Sequence, residues 1–128
     1  MTDAISSAQS ALSALTTSMA ATANNVANLN TDGYKSKDVR LETGPQGRGV
    51  RVGQVAEDTA AGGYRPVVVS SPNEAGVSDP SAALVETSNV DLARQTVAMV
   101  ETSRAFEANV AVVRTQDDMV GALLDLRV

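Results

Sequence analysis

Cysteine, histidine and tryptophan are all absent from this chain, and the only aromatic residues are Tyr34, Tyr64 and Phe106. Without cysteine there is no disulfide and no thiol nucleophile; without histidine, most zinc sites and the commonest general base are gone as well. Aromatic side chains usually carry much of a small core's buried area, so here Ala, Val, Leu and Ser must fill it. A further absence is local. Between Ala4 and Thr31 there is no Asp, Glu, Lys or Arg. A helix facing water normally shows charge on its wet side. A lipid-spanning helix normally lacks the density of Ser, Thr, Asn and Gln found in this stretch. A long uncharged helix of small residues suits protein on every side, which in so short a chain implies neighbouring subunits.

At 128 residues the chain holds material for one domain. Its net charge of -5 and pI of about 4.5 argue against nucleic acid as a partner. Direct membrane insertion is not expected, given that density of polar side chains, and a membrane-surface helix is disfavoured because the opening segment has no Lys or Arg to meet anionic lipid. The start, Met1 to Ile5, has neither a basic segment nor a strong apolar run. Any route out of the cytoplasm is therefore expected to need no cleaved signal. Asp117 and Asp118 are adjacent carboxylates, but neighbours on a helix diverge by about 100° and cannot share one substrate. Gly44 to Gly49 is glycine-rich without a following Gly-Lys-Ser/Thr, so it is no phosphate loop. The expectation is a protein that is not an enzyme, with no catalytic residue, cofactor or metal.

Ile5, Ala8, Leu12, Leu15, Met19, Thr22, Val26 and Leu29 follow alternating three- and four-residue steps, the spacing that lines one stripe of a helix. The pattern predicts a helix from about Asp3 to about Leu29, roughly 40 Å long. Asn30-Thr31-Asp32-Gly33 would end it in a turn where Gly33 supplies positive φ. Mixed charge then appears at once. Val50 to Val55 and Tyr64 to Val69 read as two short strands joined through Ala60 to Gly63, with Pro66 favouring an edge. Ser70 to Ser81 reads as a Pro/Gly/Ser-rich connection. Ser88 with Asp91 has capping-box spacing, predicting a second helix from Ser88-Asn89 to about Leu126. Leu92, Met99, Phe106, Val110, Val113, Val120 and Leu124 recur along it at helical spacing. The expected fold class is mainly α: two long terminal helices paired as a coiled coil, with a small irregular β-hairpin insert. Three segments follow: 1–33, the first helix and turn; 34–87, arm, insert and linker; 88–128, the last helix.

Ala23 to Lys35, reading ANNVANLNTDGYK, resembles the N-terminal signature of flagellar rod, hook and hook-associated proteins. Ser88-Asn89-Val90-Asp91-Leu92, with Met99-Val100-Glu101 and Arg104 to Asn109, resembles the same family's C-terminal signature. The short central region, with Arg48 to Val52, Glu57-Asp58 and Pro72-Asn73, is most similar to C-type proximal rod subunits. Arg94-Gln95-Thr96 departs from the acidic and apolar residues usual after the Asn89-Val90-Asp91 segment.

The resemblance implies a structural subunit of the basal-body rod that polymerises helically into a periplasmic drive shaft transmitting torque. Its partners would be copies of itself, other rod proteins and the flagellar type III export apparatus. Subunit assembly would then involve Leu12, Leu15, Met19, Asn25, Asn28, Asn30, Gly33, Tyr34, Asn89, Val90, Asp91, Met99, Arg104, Phe106 and Asn109. Plainer readings stand beside this. The asparagines could satisfy frayed helix-end carbonyls locally. Arg104 could be a solvated surface pair, and Met99 and Phe106 simple core knobs. Another axial protein, or a secreted helical hairpin that binds a partner as a monomer, would share the two helices.

Overall fold

The computed structural model describes residues 2–72 and 78–126. In chain order it contains helix α1 (Thr2–Ala27), strand β1 (Lys37–Thr43), a 3-10 turn (Pro45–Gly47), β2 (Val50–Glu57), β3 (Tyr64–Pro72), β4 (Ser78–Glu86) and helix α2 (Leu92–Asp125). Alanine and the absence of Gly and Pro favour α1. The hydroxyls of Thr16, Thr17 and Thr22 donate to the carbonyls of Leu12, Ser13 and Ser18 one turn back, so they are satisfied inside the helix. The helix closes in turns at Asn28 and Thr31, and Gly33 follows with φ +69°. Helix α2 is capped by Asp91, whose carboxylate accepts from the Ala93 and Arg94 amides at 2.9 and 3.3 Å. Such a cap contributes about 1 kcal/mol. The cap is not Ser88, whose hydroxyl instead accepts from the Val90 amide.

The two helices pack on one another. Asn25, near the end of α1, bonds to Gln95, near the start of α2, and extended packing with that contact is possible only if the helices run antiparallel. The seam is made of small and polar side chains: Ala8, Ala14, Thr22 and Asn25 on α1, Thr102 and Gln116 on α2, all buried. Leu12, Leu15, Met19, Met99, Phe106 and Val113 flank it half-buried. Helix α2 is eight residues longer than α1 (34 against 26), and its last turns, with Leu123, Leu124 and Leu126, are exposed.

Between the helices lie four strands in two separate antiparallel hairpins, β1–β2 and β3–β4. The expectation of a mainly α coiled coil carrying one small insert is overturned: the strands, of 7, 8, 9 and 9 residues, form two separate antiparallel hairpins beside helices of 26 and 34 residues. The expected pairing of Val50–Val55 with Tyr64–Val69 is also incorrect. Val50 pairs back to Thr43, and Tyr64 pairs forward to Glu86. The reason lies in the partners. Lys37, Asp38, Arg40 and Glu42 mask the alternation of Val39 and Leu41 in β1, and the register shifts between Arg40 and Leu41. The Ser, Pro and Ala residues of β4 have little strand preference of their own and are held by the ladder to β3. Asn73 to Val77, which include the middle of the expected connection and the Asn of Pro72-Asn73, lie outside the described residues.

The hairpins are positioned differently. Both β1 and β2 lie on α1. The start of β1 is tied to Asn25, while at the tip the Val50 amide donates to Ser10 Oγ at 3.1 Å and Arg48 pairs with Asp3 at 2.9 Å. The lengths agree: Asn25 to Ser10 spans about 22 Å of helix, and Lys37 to Thr43 about 20 Å of strand. Hairpin β3–β4 makes no extended contact with either helix. Pro66 pairs with Leu84 and Pro80 with Ser70, two positions in the same phase of the ladder. Prolines at such positions blunt a sheet edge against further strand addition. Tyr64, Val68 and Leu84 of this hairpin are exposed.

Candidate assembly site

Asn25 is 1% exposed, and its side-chain amide makes four hydrogen bonds. Its Nδ2 donates to the Lys37 carbonyl at 2.8 Å and to Gln95 Oε1 at 3.1 Å; its Oδ1 accepts from the Lys37 amide at 2.8 Å and the Tyr34 hydroxyl at 3.0 Å. Both amide hydrogens and both acceptor positions are used. Asn25 therefore joins α1, the first residue of β1 and α2, meeting Lys37 as a neighbouring strand would.

Asn89 does the same work from the other end of the sequence. Its Oδ1 accepts from the Ser36 amide at 2.7 Å, and its Nδ2 donates to the Asp58 and Ala60 carbonyls at 2.9 and 3.0 Å. Its own amide donates to the Tyr34 carbonyl. Beside it, Lys35 Nζ reaches Glu86 at 2.7 Å and the Ala60 carbonyl at 2.8 Å, and the Gly62 amide donates to the same Glu86 oxygen at 2.7 Å. The hydrogen bond from Lys35, then that from the Gly62 amide, holds the Glu86 carboxyl below the usual carboxylate range. The Tyr34 hydroxyl is pushed up, first by removal from water and then by the negative charge of Glu57. Gly33 donates its amide to the Glu86 carbonyl, Thr87 donates its own to Gly63, and Asp32 pairs with Arg65 at 2.7 Å. These bonds fix the base of the β3–β4 hairpin against the end of α1.

The joint thus brings together Asn25, Gly33, Tyr34 and Asn89 from the sequence-predicted set, with Val90 buried beside it and Asp91 capping α2. The other members lie elsewhere. Asn28 serves the helix end, donating to the Asn24 carbonyl and accepting from Thr31. Asn30 is exposed. Leu12, Leu15, Met19, Met99 and Phe106 flank the helix seam, and Asn109 donates to the Ala105 carbonyl. Arg104 is exposed and pairs with Glu107 at 2.9 Å. Sequence reasoning missed Glu86, Gln95, Ser10 and Gly49. Only Gly49 carried a signal, as a glycine of the Gly44 to Gly49 loop; in the fold it takes φ +66°, and any Cβ there would strike Ser10.

A polar cleft of about 320 Å³ adjoins the joint, with Lys37, Arg40 and Arg94 facing Asp38, Glu57 and Asp58. Its mixed charge and largely polar lining are unlike a small-molecule pocket. Among the described residues no group of His, Cys, Asp and Glu could hold a metal ion, and no helix is long and apolar enough to cross a membrane.

No curated protein matches the chain significantly. Two family models do match. Residues 5–35 match the family described as flagella basal body rod protein, and residues 82–126 match flagellar basal body rod FlgEFG protein C-terminal. The matched segments hold α1, both asparagines of the joint, Glu86 and α2; the unmatched residues between them hold β1, β2 and β3. The same two ends that the joint ties together are the ends that carry the family pattern, and the chain belongs to the flagellar basal body rod family, as a structural protein of the motility apparatus that assembles with other rod proteins in the basal body.

Proposed function

We propose that this chain is a subunit of the proximal rod, polymerising helically with copies of itself and adjoining rod proteins into the periplasmic shaft that transmits torque. The observation that carries the reading is the antiparallel helix pair. Asn25 and Asn89 lock one end of it, and α1 presents an outward face without a single charge from Ala4 to Ala27. A drive shaft needs stiffness, and long helices laid side by side resist bending and shear. The flagellar type III apparatus would export the chain, without cleavage of a signal. A second reading, another axial protein of the rod, is supported by the C-terminal match to the family described for FlgEFG proteins.

Both readings are tested by tagging the full chain and isolating basal bodies from strains arrested at successive stages of rod assembly. A proximal subunit is present before any distal rod forms. Appearance only after the distal rod is complete would favour the second reading, and absence from basal bodies at every stage would overturn both.

A further inference from the structure

Among the aspartates and asparagines of the chain, Asp32 alone is followed by glycine. An Asp-Gly step is the one most open to ring closure, in which the next residue's amide nitrogen attacks the side-chain carboxyl. Glycine has no side chain to shield that nitrogen. At Asp38, Asn89 and Asp91 the following Val39, Val90 and Leu92 supply such a shield.

In the reaction the Gly33 nitrogen bonds to Asp32 Cγ and one Cγ–O bond breaks. The amide and carboxyl protons leave with that oxygen as water. Water then reopens the cyclic imide. Addition at Cγ restores aspartate. Addition at the Asp32 main-chain carbonyl carbon breaks its bond to Gly33, so the backbone runs on through Cβ and Cγ and the α-carboxylate becomes a side group. Water is the only other reactant, and Asp32 and Gly33 are both exposed to it.

The fold opposes each part of the ring closure. Arg65 takes both carboxylate oxygens, Nε donating to Oδ1 at 3.2 Å and Nη2 to Oδ2 at 2.7 Å, which holds the carboxylate towards β3. The Gly33 nitrogen is engaged as well, donating to the Glu86 carbonyl at 2.8 Å. Arg65 and Glu86 lie on neighbouring rungs of the β3–β4 ladder, so one hairpin base grips both reacting groups. The backbone adds a third constraint. The Tyr34 amide donates to the Thr31 carbonyl at 3.3 Å, and positive φ falls at Gly33 and not at Asp32. This is the type II turn pattern, which holds the residue before the glycine at ψ of about +120°. Ring closure needs Asp32 Cβ eclipsed with the Gly33 nitrogen about the Cα–C bond, and that ψ keeps them well apart.

We propose that Asp32-Gly33 is a backbone isomerisation site that the base of the β3–β4 hairpin holds closed, and that the chain converts to isoaspartate at this step when the hairpin detaches or the chain unfolds. The inference is independent of the rod reading. The lengthened backbone displaces the groups that Arg65 and Glu86 hold, so the change, once made, keeps the hairpin base loose.

To test this, the full-length chain is incubated at neutral pH in buffer and in guanidinium chloride. Isoaspartate is located by peptide mapping with electron-transfer fragmentation. In denaturant it is expected at Asp32 well ahead of Asp38, Asp58 and Asp91. In buffer it should form at Asp32 about tenfold more slowly or less, since only locally opened chains react. Arg65→Ala should speed the reaction several-fold in buffer and leave the rate in denaturant unchanged. Arg65→Lys keeps the charge but lacks the fork that takes both oxygens, and it should fall between, with circular dichroism showing that its helices are intact. Equal rates for the unaltered chain in buffer and in denaturant would overturn the proposal. So would an Asp32 no faster than Asp38 in denaturant, or a folded Arg65→Lys chain that isomerises as slowly as the unaltered one.

Discussion

Replacing Asn25 by alanine removes four hydrogen bonds from a position that water scarcely reaches. Tyr34 and Gln95 can turn their freed groups towards solvent. The Lys37 amide and carbonyl, held by the backbone at the start of β1, cannot. A buried backbone group left unpaired costs about 1–3 kcal/mol, so Asn25→Ala is expected to destabilise the chain by about 2–5 kcal/mol. The control is Asn28→Ala, whose bonds are local to an exposed helix end, with an expected cost of at most about 0.5 kcal/mol. Asn25→Asp separates donors from acceptors: the carboxylate can still accept from the Lys37 amide and Tyr34, but it faces the Lys37 carbonyl and Gln95 Oε1 with nothing to donate. It should therefore fall on the Asn25→Ala side of the control. Urea denaturation followed by circular dichroism measures the global loss. Amide exchange at Lys37 measures the local one and should accelerate by about 30-fold or more, since each 1.4 kcal/mol is tenfold. If Asn25→Ala and Asn28→Ala agree within about 0.5 kcal/mol, the joint does not do what its bonds suggest.

Three further outcomes follow from the same geometry. Asp91→Ala removes the cap of α2 and should cost about 1 kcal/mol, with faster exchange confined to the Ala93 and Arg94 amides; unchanged exchange there would refute the cap. Glu86 has a lowered pKa in the folded chain. The stability it contributes is therefore fully present above the ordinary carboxylate value and is lost as pH falls through the lower folded value. Glu86→Gln should flatten that acid limb in urea titrations, and an ordinary carboxyl titration for Glu86 by NMR would refute it. Gly49→Ala places a side chain at φ +66° against Ser10, which should cost about 1–3 kcal/mol and release the tip of the β1–β2 hairpin from α1; an undisturbed Val50 amide would contradict this.

The joint also changes how the asparagine-rich signature is understood. Asn24, Asn25, Asn28 and Asn30 are alike in the sequence, and two of them have different tasks in the fold. Asn28 completes the end of a helix, while Asn25 crosses to another strand and another helix. What separates them is helical phase. Three residues along α1 turn a side chain by about 300°, enough to take it from the buried seam to the wet edge. A subunit that presents uncharged or apolar faces to its neighbours needs such a lock, because its own core is slight: Ala8, Ala14 and Val90 are its buried apolar residues among those described.

The sequence by itself determined the local features that depend on near neighbours. The three- and four-residue spacing from Ile5 to Leu29 produced α1, Gly33 took the positive φ the turn required, and the two terminal signatures placed the chain in its family. Tertiary structure alone decided which strand meets which. Pairing energy belongs to a partner strand and not to the residues of one strand, so the charged β1 and the Ala- and Ser-rich β4 became strands only where β2 and β3 lay beside them. It also decided that Asn25 and Asn89, distant in sequence, brace one joint, because a side-chain amide has no preferred partner until the backbone brings an unpaired N–H and C=O within 3 Å of it.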